Sequence, residues 1–313
     1  MSRQNQFPDI SMTDNTRVFG KTIVTTDWLA QHLTDPNLRV FDCTTHLIHQ
    51  SSPESDAPYV VQSGKNDYDK AHLPGAAFID LQQDLSDTTS PYRFTCLQTN
   101  ELAKRFGGLG IGDDTTAVLY SQTTPQWATR IWWLLRTIGF DRACVLDGGL
   151  TRWQTDGRAV SRETTIFPPA SLITKPRNGL LVDKTTVLSA IDDDNICTIN
   201  ALRAVQHAGL DNGEFGHYGR PGRIPHSVNV PTNELVDSAT MEFVPSEEIR
   251  SRFHAAGAYE ADHVITYCGG GIAASTTAMF LVLFGHPHVS LYDASLSEWA
   301  IDRNLPMVTD STD

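Results

Sequence analysis

Short apolar runs recur along the chain and alternate with segments whose apolar residues fall at helical spacing. "LRVFD" (residues 38–42), "AAFID" (76–80), "TAVLYS" (116–121) and "ACVLD" (143–147) are four such runs. Each is too short for a buried helix and rich enough in branched and aromatic residues to be a strand. Between them, "TTDWLAQHL" (25–33) and "QWATRIWWLLRTIG" (126–139) carry the helical period, and Gly139 stands where a helix C-cap is expected. Strands that are apolar throughout, rather than alternating, predict a parallel sheet covered by helices on both faces.

The second half of the chain repeats this pattern. "AHLPGAAFIDL" (71–81) matches "GRIPHSVNVPT" (222–232), "TTAVLYSQ" (115–122) matches "DHVITYCG" (262–269), and "ACVLDGGLTRW" (143–153) matches "VSLYDASLSEW" (289–299). Three matched segments in one order, at nearly one offset, mean two copies of one domain. "SRETTIFPPASLITKPRNG" (161–179) has three prolines and little periodicity and reads as the linker. The expected organisation is a flexible arm over residues 1–20, a first domain over 21–160, a linker over 161–178 and a second domain over 179–313.

The 313 residues suit two domains at about 100–200 residues each. A hydrophobic share of 40% and a charged share of 19% are those of a soluble globular protein. No apolar run approaches the roughly 20 residues that span a bilayer, and the polar start lacks the apolar core of a secretory signal. The expectation is a cytoplasmic protein with no membrane contact. A net charge of −13 excludes non-specific nucleic-acid binding, which requires clustered Lys and Arg. The five cysteines are widely spaced, with no C-x-x-C pair, so neither a disulfide framework nor a thiol–zinc site is expected. "GHPH" (285–288) lies in a short turn without a carboxylate or thiol and supports no metal site.

One cysteine has unusual neighbours. In "VITYCGGGIAASTTAMFLVLFG" (264–285), a strand runs into Cys268, three glycines follow, and a helix begins. Ligands of parallel sheets bind beyond the carboxyl ends of the strands, which is where this loop falls. Glycines let successive N–H groups turn inward as an anion-binding nest, and the helix N-terminus adds positive partial charge. A thiolate nucleophile is favoured there, and the nest would stabilise the anion formed on it. A cysteine phosphatase needs Cys-x5-Arg to clamp the phosphoryl oxygens. Here Ala274 stands at the arginine position and the loop holds no arginine at all. Transfer of a sulfane sulfur through a cysteine persulfide fits better.

With these residues in view, the chain resembles the tandem-domain rhodaneses of the thiosulfate/3-mercaptopyruvate sulfurtransferase family. "AHLPGAAFIDL", "DTTSPYR", "TRIWWLLRTIGF", "VLDGGLTRW", "GRIPHSVNVP", "YCGGGIA" and "SLSEW" carry the resemblance from residue 22 to residue 305. It implies an α/β fold of two rhodanese-like domains, each a mostly parallel sheet with helices on both faces. The first domain is then catalytically silent, with Ser121 in place of the cysteine. The resemblance also implies Cys268 as nucleophile and persulfide carrier, and Gly269, Gly270, Gly271, Ile272, Ala273 and Ala274 as its cradle. The implied partners are a small anionic donor (thiosulfate or 3-mercaptopyruvate) and a cyanide or thiol acceptor, thioredoxin among the candidates. No cofactor or metal is implied.

The chain departs from the family pattern in two places. Where relatives often read Asp-Ala-Arg, it reads "INALR", with Asn200 and Leu202 in place of the acid and the arginine. Neither the basic loop of thiosulfate-preferring relatives nor the Cys-Gly-Ser-Gly of mercaptopyruvate-preferring ones is present, since Gly270 occupies the serine position. An anionic donor needs a cation, so Arg203, Arg220 or Arg223 is expected to supply it. Arg220 ranks first because Tyr218 and Gly219 precede it on a loop expected to be mobile, which also carries His217. His72 matches a first-domain histidine near the domain interface in mercaptopyruvate relatives and is a candidate proton donor, or else caps a strand. A non-catalytic sulfur carrier or regulatory binding protein is the rival reading.

Overall fold

The computed structural model describes residues 22–49, 59–211 and 218–310. The expected arm over residues 1–20 and His217 lie outside them. The strands are β1 (Ile23–Val24), β2 (Leu38–Asp42), β3 (Thr45–His49), β4 (Tyr59–Ser63), β5 (Ala76–Phe78), β6 (Thr116–Tyr120), β7 (Ala143–Leu146), β8 (Leu181–Val182), β9 (Ile196–Asn200), β10 (Val228–Asn229), β11 (His263–Tyr267) and β12 (Val289–Tyr292). Ten of them form two five-stranded sheets, ordered β1-β7-β6-β2-β5 and β8-β12-β11-β9-β10, in which every pair is parallel, and β3 and β4 form a separate antiparallel pair. The repeat in the sequence is thus a repeat of topology, and β6 and β11 hold equivalent places.

Alternate residues of one strand enter different cores, as a period of two requires. On β2 and β6, Phe41 and Leu119 join one apolar cluster while Val40 and Val118 join another. The first cluster continues across the domain boundary to Val264, Phe280 and Cys268. At that boundary the helix after β6 (Gln126–Thr137) lies against the helix after β11 (Ala273–Leu283). Small hydroxyl residues allow the approach: Thr129 Oγ1 lies 2.8 Å from both Ser275 Oγ and Thr276 Oγ1. Because these helices follow equivalent strands, their packing turns the loops ahead of them toward each other. Gly139 ends the first helix at φ +87°, as its position predicts.

Residues 162–177 contain neither helix nor strand. They run along the first domain, where Ala170 N–H donates to the Gly107 carbonyl and Lys175 N–H to that of Ile138. One element escaped the sequence reading. The antiparallel hairpin β3–β4 has no counterpart among the described residues of the second repeat, and it supplies part of the site described below. Among the described residues, no helix is long and apolar enough to cross a membrane.

Candidate active site

Strand β11 delivers Cys268 to the carboxyl edge of the second sheet. Its backbone N–H donates to Ser295 Oγ at 3.1 Å, and its carbonyl accepts from Leu296 N–H at 3.1 Å. The Gly269 carbonyl accepts from both the N–H and the hydroxyl of Ser297, at 2.8 and 2.7 Å. Both carbonyls are therefore tied down on the Ser295–Trp299 side. Among the described residues, no hydrogen bond to a loop or side-chain acceptor uses the N–H groups from Gly269 to Ala274. This is the geometry a nest requires: carbonyls held back, donors left for an anion.

Each glycine of the loop has a steric reason. A Cβ on Gly269 would lie 2.0 Å from Tyr218 Cζ, and one on Gly270 would lie 3.2 Å from Tyr59 Oη. Gly271 has φ +78°, and its Cβ would meet the Asp293 carbonyl oxygen at 2.6 Å. The chain thus uses glycine where aromatic rings and a backbone carbonyl crowd the loop.

Cys268 is 2% exposed and sits at the base of a cavity of about 210 Å3 between the two domains. The second domain contributes Leu202, Arg203, Gln206, Tyr218, Asn233 and the loop itself; the first contributes Leu47, Tyr59, Gln126 and Trp127. Leu47 and Tyr59 come from the β3–β4 hairpin, so one wall of the second domain's site belongs to the other domain. The Tyr59 and Tyr218 rings meet edge to face at 6.2 Å and 69°. Burial, reinforced by the nearby thiol, raises the pKa of both phenols, so each is a neutral O–H at physiological pH. A larger depression of about 440 Å3 beside Asp192, Asp193, Asp194 and Glu260 contains Cys197, whose thiol burial pushes up to about 11. It offers no activated nucleophile.

The arginines separate by location. Arg203 lines the cavity and is exposed to solvent. Arg220, ranked first from the sequence, is spent elsewhere. Its guanidinium donates to the carbonyls of Ala300, Leu305, Trp299 and Asp302, at 3.0, 2.9, 3.2 and 2.7 Å, and so clamps the C-terminal segment. Arg223 donates to the His207 carbonyl at 3.2 Å and pairs with Asp310 at 2.7 Å. His72 is fully buried, with Nδ1 2.6 Å from the Tyr68 carbonyl and Nε2 3.0 Å from that of Glu163. It stacks on Tyr68 at 3.8 Å and lies outside the cavity lining. Its geometry is that of a structural pin.

Sequence reasoning missed Tyr59, Leu47, Gln126 and Trp127. The last two had a readable signal: they open the helix equivalent to the one following Cys268, and pseudo-symmetric packing brings such helices together. The hairpin residues had none, since nothing local tells a strand which domain it will cover.

Comparison with known proteins places these features in a wider group. The family model described as "Rhodanese-like domain" matches residues 25–156 and again 193–302. The 3-mercaptopyruvate sulfurtransferase of Escherichia coli K12 is 31% identical over 282 residues, covering 90% of this chain and 95% of its own. The thiosulfate sulfurtransferase of Rattus norvegicus is 29% identical over 289 residues, covering 90% and 93%. The solved structure of SseA from Escherichia coli, described as a 3-mercaptopyruvate sulfotransferase with the rhodanese fold, superposes with a TM-score of 0.72. Its sequence is 30% identical, with 88% of this chain and 98% of SseA covered.

Proposed function

The chain belongs to the rhodanese family, and from that premise we propose that it is a sulfurtransferase whose working nucleophile is Cys268. The observation that carries the proposal is the placement of one thiol at the base of an inter-domain cavity, ahead of a glycine loop whose carbonyls are held back. The thiolate attacks the outer sulfur of thiosulfate, or the thiol sulfur of 3-mercaptopyruvate. A Cys268 Sγ–S bond forms as the donor's S–S or C–S bond breaks. The electron pair leaves with sulfite, or with the pyruvate enolate, which then takes a proton. The persulfide anion rests in the cradle from Gly269 to Ala274 until a cyanide or thiol nucleophile takes its outer sulfur and regenerates the thiolate.

Arg203 is the cation that meets the donor's negative charge, because it lines the cavity beside Cys268 and neither Arg220 nor Arg223 does. The neutral phenols of Tyr59 and Tyr218 stand over the loop and form the wall that faces the donor.

Intact-protein mass after incubation with thiosulfate, and separately with 3-mercaptopyruvate, tests the reading. A gain of one sulfur (about 32 Da from atomic mass) in the wild type and none in Cys268→Ser is expected. Turnover with cyanide then separates an enzyme from a sulfur carrier. No adduct with either donor would refute the proposal.

A further inference from the structure

The helix Gln126–Thr137 carries an arginine in the middle of its buried face. Arg130 is fully buried, although its neighbours Ile131 and Trp133 are ordinary core residues. Its Nη2 donates to the Phe94 carbonyl at 2.8 Å and to Asp293 Oδ1 at 2.5 Å. Asp293 belongs to the other domain, one residue past β12, and its Oδ2 accepts the Cys96 N–H at 2.7 Å. The remaining guanidinium nitrogens, Nε and Nη1, are buried with no hydrogen-bond partner among the described residues. Leaving charged donors unpaired in the interior is expensive, so what they face matters. Nη1 faces the active loop: a Cβ on Gly271 would lie 3.2 Å from it. The guanidinium therefore turns Nη2 to its carboxylate and Nη1 to the underside of the cradle.

We propose that Arg130 is a positioning residue that acts across the domain boundary, and that the Arg130–Asp293 pair sets the electrostatic field beneath Cys268. The inference rests on Cys268 being the nucleophile. Gly271 follows Cys268 by three residues, which reach at most about 11 Å, and Arg130 Nη1 stands beside Gly271, so the guanidinium lies on the order of 10 Å from Cys268. The other groups around the thiol are the phenols of Tyr59 and Tyr218, with Arg203 at the cavity wall, Arg93 acting on Tyr59 and Asp211 acting on Tyr218. None of these sits beneath the loop. Removing the cation leaves a carboxylate there, which opposes an anionic sulfur; removing the carboxylate leaves an uncompensated guanidinium, which favours one. A unit charge at about 10 Å through an effective dielectric near 20 changes an anion's population on the order of tenfold.

The test reads the thiol directly. The second-order rate of Cys268 carboxamidomethylation by iodoacetamide at pH 7 is measured on the full chain, with the modified site located by peptide mass. R130M is expected to react about tenfold more slowly than wild type and D293N faster than wild type, with R130K close to it. A pure strut between domains would move R130M and D293N the same way, and that result, or no change in either, overturns the proposal. If R130M does not give a folded protein by circular dichroism, the near-isosteric D293N decides alone: faster supports the proposal, equal or slower overturns it. No sulfur donor enters this measurement, so its failure is distinct from a failure to form the persulfide.

Discussion

Replacing the loop glycines one at a time with alanine should produce three different costs, in an order fixed by the geometry. At Gly271 the backbone is at φ +78°, a conformation that costs an L-residue about 1–2 kcal/mol. The new methyl would also sit 2.6 Å from the Asp293 carbonyl oxygen, against an ordinary contact of about 3.5 Å. A backbone carbonyl cannot swing aside, so an overpacking cost of about 1–3 kcal/mol adds to the strain. G271A is therefore expected to lose about 2–5 kcal/mol. At Gly269 the obstacle is the far end of the Tyr218 ring, at 2.0 Å, and the backbone is unstrained. The ring must retreat and give up its edge contact with Tyr59, worth about 0.5–1.5 kcal/mol. At Gly270 the nearest atoms are hydroxyl oxygens at 3.2 and 3.6 Å, and the cost should stay below about 1 kcal/mol. Urea denaturation of the three variants gives the order directly, and Tyr218→Ala supplies the control: it should relieve G269A and leave G271A unrelieved. A G270A variant as damaged as G271A, or a Tyr218→Ala background that rescues both, would refute this account of the loop.

Two further outcomes follow from placements elsewhere in the fold. Asp147 is half-buried at the domain boundary, where it accepts the Phe243 N–H at 2.8 Å, and burial foremost pushes its carboxyl from 3.8 up to about 6. Its folded value is the higher one, so its contribution to stability is complete below about pH 4 and is lost as pH rises through about 6. Asp147→Asn should exceed wild type by up to about 3 kcal/mol at pH 8 and match it near pH 4; a difference constant with pH in urea titrations would contradict this. The two arginines should separate by assay. R203A is expected to raise KM for an anionic donor with little change in Tm, whereas R220M, losing four carbonyl contacts, is expected to lower Tm by several degrees and leave KM unchanged. The reverse pattern would return Arg220 to the site.

Local chemistry made much of this protein legible. Strand β11 occupies the residues of "HVITY", and the helices fall inside their predicted windows, because short apolar runs and helical periods are properties of contiguous chain. The loop at Cys268 was readable for the same reason: a thiol, three glycines and a helix start are neighbours in sequence as well as in space. Arg220 shows the limit. It looked available because Tyr218 and Gly219 precede it on a loop ahead of the next strand, yet its four carbonyls lie roughly 80 residues further along the chain.

The sequence by itself determined two tandem α/β units, the strand that ends at Cys268, and the absence of a phosphate-binding arginine from the loop. Tertiary structure decided what surrounds that cysteine. Equivalent helices pack against each other across the boundary, and this brings the Tyr59 hairpin over the cavity and Arg130 beneath the loop. Such contacts join residues more than a hundred positions apart, and burial there assigns an arginine to a carboxylate, a carbonyl or open solvent. Charge alone, read along the chain, carries no such address.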